Sequence, residues 1–204
     1  MMPDSSTVPP ASDRSAVIEI SESAKIFGFW VYLMSDAVIF ALLFATYASM
    51  SRNYAGGPTG KELFDLGNAF YETMLLLLST LTCGLGMLAL SKNRKEALLP
   101  WLVLTFLLGL GFVLLELNEF DSLIRQGAGP DRSGFLSAFF TLVGTHGLHV
   151  SIGLIWLLIM ILQIEHKGLT VPVSSRLFRF SLFWHFLDLV WVAIFSMVYL
   201  LGVL

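Results

Sequence analysis

The chain has 204 residues, of which 56% are hydrophobic and 13% charged, with a formal net charge of −3. A soluble domain carries about 25% charged residues, so apolar side chains have displaced about half the usual charge, and the mean hydropathy is +0.78. This excludes a disordered chain, an ordinary soluble enzyme, and a nucleic-acid binder with a basic surface for phosphate.

Residues 1–24 (MMPDSSTVPPASDRSAVIEISESA) are rich in Ser and Pro and hold no long apolar run. They lack the basic stretch and adjoining apolar core of a signal peptide and are expected to form a mobile N-terminal arm. Five apolar stretches follow, over about 26–48, 70–90, 98–117, 134–164 and 180–204. Crossing about 30 Å of hydrocarbon takes roughly 20 helical residues, so each is long enough to span. The fourth is longer than needed and should tilt or project beyond the bilayer. None shows the alternation of a membrane β-barrel. The expected fold is all-α: five transmembrane helices in one domain over 25–204. The connections AGGPTGK (55–61), SKNRKE (91–96), RQGAGPDRSG (125–134) and HKGLTVPVSSR (166–176) carry turn residues.

Basic residues set the orientation. Arg14, Lys25, Lys92, Arg94, Lys95, Lys167, Arg176 and Arg179 fall on one side of the membrane, and Arg52, Lys61, Arg125 and Arg132 on the other. The N-terminus is therefore expected in the cytoplasm and the C-terminus outside.

Ionisable residues within spans are costly unless paired or wet, which makes them the candidates for function. They are Asp36, Glu72, Glu116, Glu119, His146, His149, His185 and Asp188. At 1.5 Å per residue, Asp36 lies about 15 Å from the cytoplasmic side, and His185 and Asp188 about 8–12 Å from it. His146 and His149 fall at similar depth. Glu72, Glu116 and Glu119 lie near the external ends, and Glu116 and Glu119 are expected to be wet. Asp36 is either a proton-handling or partner-contacting acid, or a carboxyl hydrogen-bonded to a neighbouring helix, with Tyr32 one turn earlier as a further partner. His146 and His149, and likewise His185 and Asp188, lie three residues apart on one helix face. Haem ligation by histidines of two helices would make the chain a self-contained cytochrome. A di-metal bundle site needs Glu-x-x-His pairs, which the chain lacks. Ser181, His185 and Asp188 imitate a hydrolase triad, but one helix supplies no oxyanion hole. A proton or solute channel remains a further alternative, without inverted-repeat symmetry to support it. The structural reading is histidines hydrogen-bonded across helices, with Gly144, Gly147 and Gly153 allowing close approach. No catalytic, cofactor-binding or metal-binding residue is assigned. Cys83 is the single cysteine, so no intrachain disulfide or cysteine-rich metal site can form.

Four segments in order carry a resemblance: GFWVYLMSDAVIFALLFATYA (28–48), LNEF (117–120), GPDRSGFLSAFFTLVGTHGLHVSIG (129–153) and FWHFLDLVWVAIFSMVYLLG (183–202). Together they resemble subunit III of haem–copper terminal oxidases over about residues 25–204. The five-span form and the segments AGGPTGK and GPDRSGFLSAFF are most similar to the cytochrome o ubiquinol oxidase branch of bacteria. The resemblance implies an accessory subunit of a proton-pumping oxidase in the bacterial inner membrane, without haem or copper of its own. Those cofactors belong to catalytic subunit I, its partner with the other oxidase subunits, and structural phospholipid occupies a cleft between its helices. The implied role is assembly, lipid retention and sustained turnover. The family's buried carboxylate, usually glutamate, maps onto Asp36. Its histidines map onto His146, His149 and His185, its last-helix aspartate onto Asp188, and its acid before an aromatic onto Glu119. With Glu72, these residues form the candidate lipid-cleft or subunit-contact set.

Overall fold

The computed structural model describes residues 11–56 and 60–203. Helix α1 (Ala11–Met50) is followed by a single turn α2 (Gly60–Leu63), then α3 (Leu66–Ser91), α4 (Lys95–Arg125), α5 (Gly134–Lys167) and α6 (Val171–Ile194). Helix α6 widens into a π-helical segment (Phe195–Leu200) and ends in the short α7 (Leu201–Val203). Five of these stretches are long and apolar enough to cross a membrane: Ser23–Met50, Leu66–Ser91, Lys95–Arg125, Gly134–Lys167 and Val171–Leu200.

Helix α3 packs along α4, α4 along α5, α5 along α6, and α6 returns to α3. These four helices close a ring, and α1 lies outside it against α5 and, less extensively, α6. The ring interior is filled by Leu76, Leu102, Phe112, Phe139, Leu157, Trp184 and Trp191. Lipid is as apolar as these side chains, so close packing and interhelical hydrogen bonds hold the ring together rather than a hydrophobic drive. Gly109 and Gly153 let that packing happen. A Cβ at either position would stand 2.9 Å from the Trp184 ring.

Two indole N–H groups tie α6 to α3. Trp184 donates to Ser79 Oγ at 3.1 Å, and Trp191 donates to Thr73 Oγ1 at 3.1 Å. Ser79 in turn donates to the Thr105 carbonyl on α4 at 3.0 Å, and the hydroxyls of Thr82 and Thr105 lie 2.8 Å apart. The structure thus joins α6, α3 and α4 through one buried polar chain.

The helices exceed the apolar runs that announce them. Helix α4 continues from about 117 to Arg125 because LNEFDSLIR contains no Gly or Pro, and Glu and Arg are good helix formers. Helix α6 begins at Val171 rather than near 180, with Pro172 in its first turn, where the missing N–H costs nothing. Helix α5 starts where the Ser133 hydroxyl accepts from the Leu136 N–H at 3.2 Å, and ends at Gly168 with φ 69°. Its 34 residues span about 51 Å at 1.5 Å each, so its ends extend beyond the hydrocarbon. The expected N-terminal arm lies outside the described residues as far as residue 10. From Ala11 it is helical and continuous with α1. No Gly or Pro interrupts 11–24, so the turns of the apolar span propagate backwards through it.

Candidate functional site

Among the described side chains of α1, those buried are Leu33, Asp36, Phe40 and Tyr47, spaced 3, 4 and 7 apart along one face. That spacing turns Asp36, 5% exposed, toward α5. Its Oδ2 lies 3.9 Å from His149 Nε2, beyond hydrogen-bond length but within ion-pair range. The Tyr32 side chain interacts with the same carboxyl from one turn earlier on α1. His149 Nδ1 lies 2.7 Å from the Thr145 carbonyl. A carbonyl only accepts, so Nδ1 carries a proton, and the Nε2 edge of the ring is the one that faces Asp36. Phe40 stands 5.3 Å from the His149 ring, centroid to centroid, and closes the contact from below.

His146 is fully buried. Its ring stacks on Trp191 at 5.3 Å and meets the edge of Phe112 at 5.9 Å. Neither ring nitrogen has a hydrogen-bond partner among the described residues. Asp188 is buried toward α3, where it faces Thr80 without completing a hydrogen bond at Oδ1. His185 is different: it is exposed, and its Nδ1 lies 2.7 Å from the carbonyl of Ser181 in its own helix.

The expectation of histidines hydrogen-bonded across helices is therefore corrected. His149 and His185 bond to carbonyls four residues back in their own helices, because a χ1 that points the ring toward the helix N-terminus brings Nδ1 there. His146 bonds to nothing among the described residues. The expected deep set also divides. Asp36 and His149 come together between α1 and α5, Asp188 turns into the ring, and His185 turns outward.

A second cluster forms at the end where α3 begins and α4 finishes. Glu119 Oε2 accepts from the Tyr199 hydroxyl at 2.7 Å, across from α4 to the π-helical segment. Glu72 on α3 and Glu116 on α4 lie within electrostatic reach of each other and of Glu119. Glu116 is 3% exposed, which corrects the expectation that it is wet. Its carboxylate lies directly on Gly147 of α5, where a Cβ would stand 2.6 Å from Oε2. Neither oxygen of Glu72, nor Oε1 of Glu116, has a hydrogen-bond partner among the described residues. The sequence counted Glu116 among the costly in-span residues but not in the lipid-cleft or subunit-contact set, and Tyr199 in neither. The cue for Glu116 was its place three residues before Glu119, which puts both acids on one face. Nothing in the sequence marks Tyr199, whose position depends on the π-helical turn. Ser181, His185 and Asp188 do not assemble as a triad: Nδ1 of His185 is taken by a carbonyl, and Asp188 faces α3. Among the described residues no group of three or more His, Cys, Asp or Glu side chains is placed to hold a metal ion.

A closed ring of four spans with a fifth against it, holding buried carboxyls and histidines, defines a helical membrane protein. The chain belongs to the cytochrome c oxidase subunit III family, whose model matches residues 17–203. It is 54% identical to the cytochrome bo(3) ubiquinol oxidase subunit 3 of Pseudomonas putida, covering 90% of this chain and 89% of that one. It is 43% identical to the quinol oxidase subunit 3 of Bacillus subtilis, covering 87% of each chain. It is 41% identical to the cytochrome c oxidase subunit 3 of Bacillus sp. (strain PS3), covering 96% of this chain and 94% of that one. The resemblance found in the motifs, and the five-span all-α fold expected from the apolar runs, are both borne out.

Proposed function

We propose that the chain is the accessory third subunit of a ubiquinol oxidase complex in a bacterial cytoplasmic membrane. There it packs beside the catalytic subunit that holds haem and copper. Its contribution is to assembly, retention of structural phospholipid and sustained turnover. The observation that carries the ubiquinol assignment is the 54% identity, over nine-tenths of the chain, to the Pseudomonas putida subunit, against 41% for the cytochrome c oxidase relative. The N-terminus is in the cytoplasm and the C-terminus outside.

In this role Asp36 and His149 hold α1 to the ring. His149 Nε2 faces the carboxyl of Asp36 at 3.9 Å across their interface, and both lie where α1 leaves most of its surface to lipid or to a partner. His146, Trp191 and Phe112 make the ring rigid at the same level. The acidic cluster with Tyr199 fixes the opposite end of α4 to the last helix.

The test is purification in mild detergent through a tag on this chain, with reduced-minus-oxidised spectra before and after its partners are stripped. Haem and ubiquinol oxidase activity should co-purify, then leave with a larger subunit. Haem that stays with the stripped 22.6 kDa chain would overturn the accessory role.

A further inference from the structure

His185 sits on α6 six residues past Arg179, about 9 Å deeper along the helix. That depth lies inside the hydrocarbon, yet the side chain is exposed. Ionisable side chains at such depth almost always face a bundle interior or a cavity, where they find partners. The other acids and histidines away from the span ends follow that rule: Asp36, Glu72, Glu116, His146 and Asp188 are all buried, and His149 and Glu119 are partly so. Around His185 the outward face of α6 is apolar. Phe178 is 43% exposed, Leu189 71% and Val192 42%, and their places seven residues before His185 and four and seven after it make one stripe of the kind that seats a second helix.

The ring's chemistry says what that second helix must offer. Both hydrogen-bond contacts of His185 are made by Nδ1, at 2.7 Å to the Ser181 carbonyl and 3.5 Å to the Ser181 hydroxyl. The carbonyl contact puts the proton on Nδ1. In the neutral imidazole the outward nitrogen, Nε2, is then the acceptor. Acyl chains carry no donor at this depth. We infer that the stripe Phe178–His185–Leu189–Val192 is the docking face for a transmembrane helix of a partner subunit, whose hydroxyl, amide or indole donates to His185 Nε2. This rests on the oxidase-subunit reading above and adds the face through which that contact is made.

The experiment uses the whole complex, purified through a tag on this chain. A photo-crosslinking amino acid at Leu189 should capture a larger subunit, whereas one at Ile155, equally lipid-facing on α5, serves as the comparison. His185→Leu keeps the apolar shape and removes the acceptor. His185→Gln restores an acceptor oxygen. An interhelical hydrogen bond in membranes is worth about 0.6 kcal/mol on average, so His185→Leu should retain about threefold less partner subunit after a detergent wash, and His185→Gln should recover it. Cross-links from position 189 to lipid alone would overturn the inference. So would a His185→Leu chain held as firmly as the unsubstituted one, or equal losses in both variants. An unsubstituted chain that captures no larger subunit would instead sink the oxidase-subunit reading itself.

Discussion

At position 147 a methyl group would stand 2.6 Å from Oε2 of Glu116, so glycine there is a requirement of the neighbouring helix. Gly147→Ala forces the carboxylate off α5 and should destabilise the chain by about 1–3 kcal/mol, the usual cost of overpacking. Gly144→Ala is the control, since its Cβ meets only the Phe120 ring at 3.6 Å, an ordinary contact. Thermal unfolding of the purified complex should separate the two, and equal midpoints would contradict the packing described. Trp184 offers a second comparison. Its indole N–H reaches Ser79 Oγ while its ring fills the space opened by Gly109 and Gly153. Trp184→Phe loses chiefly the hydrogen bond, about 1 kcal/mol. Trp184→Ala also leaves a cavity and should cost about 3–5 kcal/mol. Similar losses in the two variants would mean that the hydrogen bond stabilises the ring of helices more than the volume of the indole does.

Among the five spans, α1 is the least buried. It touches the ring along a seam of Leu33, Asp36, Phe40 and Tyr47, while Phe27, Val31, Val38 and Leu42 remain exposed. A helix held by so narrow a seam is sensitive to each polar contact in it. Asp36→Ala should leave the initial rate of oxygen consumption unchanged and shorten the active lifetime of the complex about three- to tenfold, the scale of an interhelical polar contact of about 0.6–1.4 kcal/mol. Progress curves followed to exhaustion would show this as earlier curvature from the same initial slope. Asp36→Glu adds one methylene toward His149 Nε2, now 3.9 Å from Oδ2, and should preserve the lifetime or extend it. Unchanged lifetimes in the alanine variant would remove Asp36 from any role in holding α1.

For the molecule as a whole, orientation decides which cluster faces which compartment. The proposed orientation, with the N-terminus in the cytoplasm, puts the cluster of Glu72, Glu116, Glu119 and Tyr199 toward the outside and the basic turn of Lys92, Arg94 and Lys95 inside. A phosphatase fused after Leu204 should then be active in intact cells, and a fluorescent protein that folds only in the cytoplasm should stay dark there. The reverse pattern would invert every depth assigned to the buried acids.

Span number, helical class and family were legible in the sequence because they rest on local quantities: the length of apolar runs, the turn residues between them, and motif order. The ends of α4 and α6 were not, since polar helix formers such as those in LNEFDSLIR extend a helix without adding hydropathy. Asp36 and His149 stood out as costly residues at similar depth, and the structure brings them together. Depth alone could not tell that Asp188 turns inward while His185 turns outward, because that depends on how α6 rotates when Trp184 and Trp191 seek the hydroxyls of α3. Glu116 looked like a wet acid at a helix end until α4 proved longer and Gly147 received its carboxylate. The sequence alone determined which residues cross the membrane. Which of them meet was decided by helix rotation and close approach, which pair residues such as Glu119 and Tyr199 across 80 positions of chain.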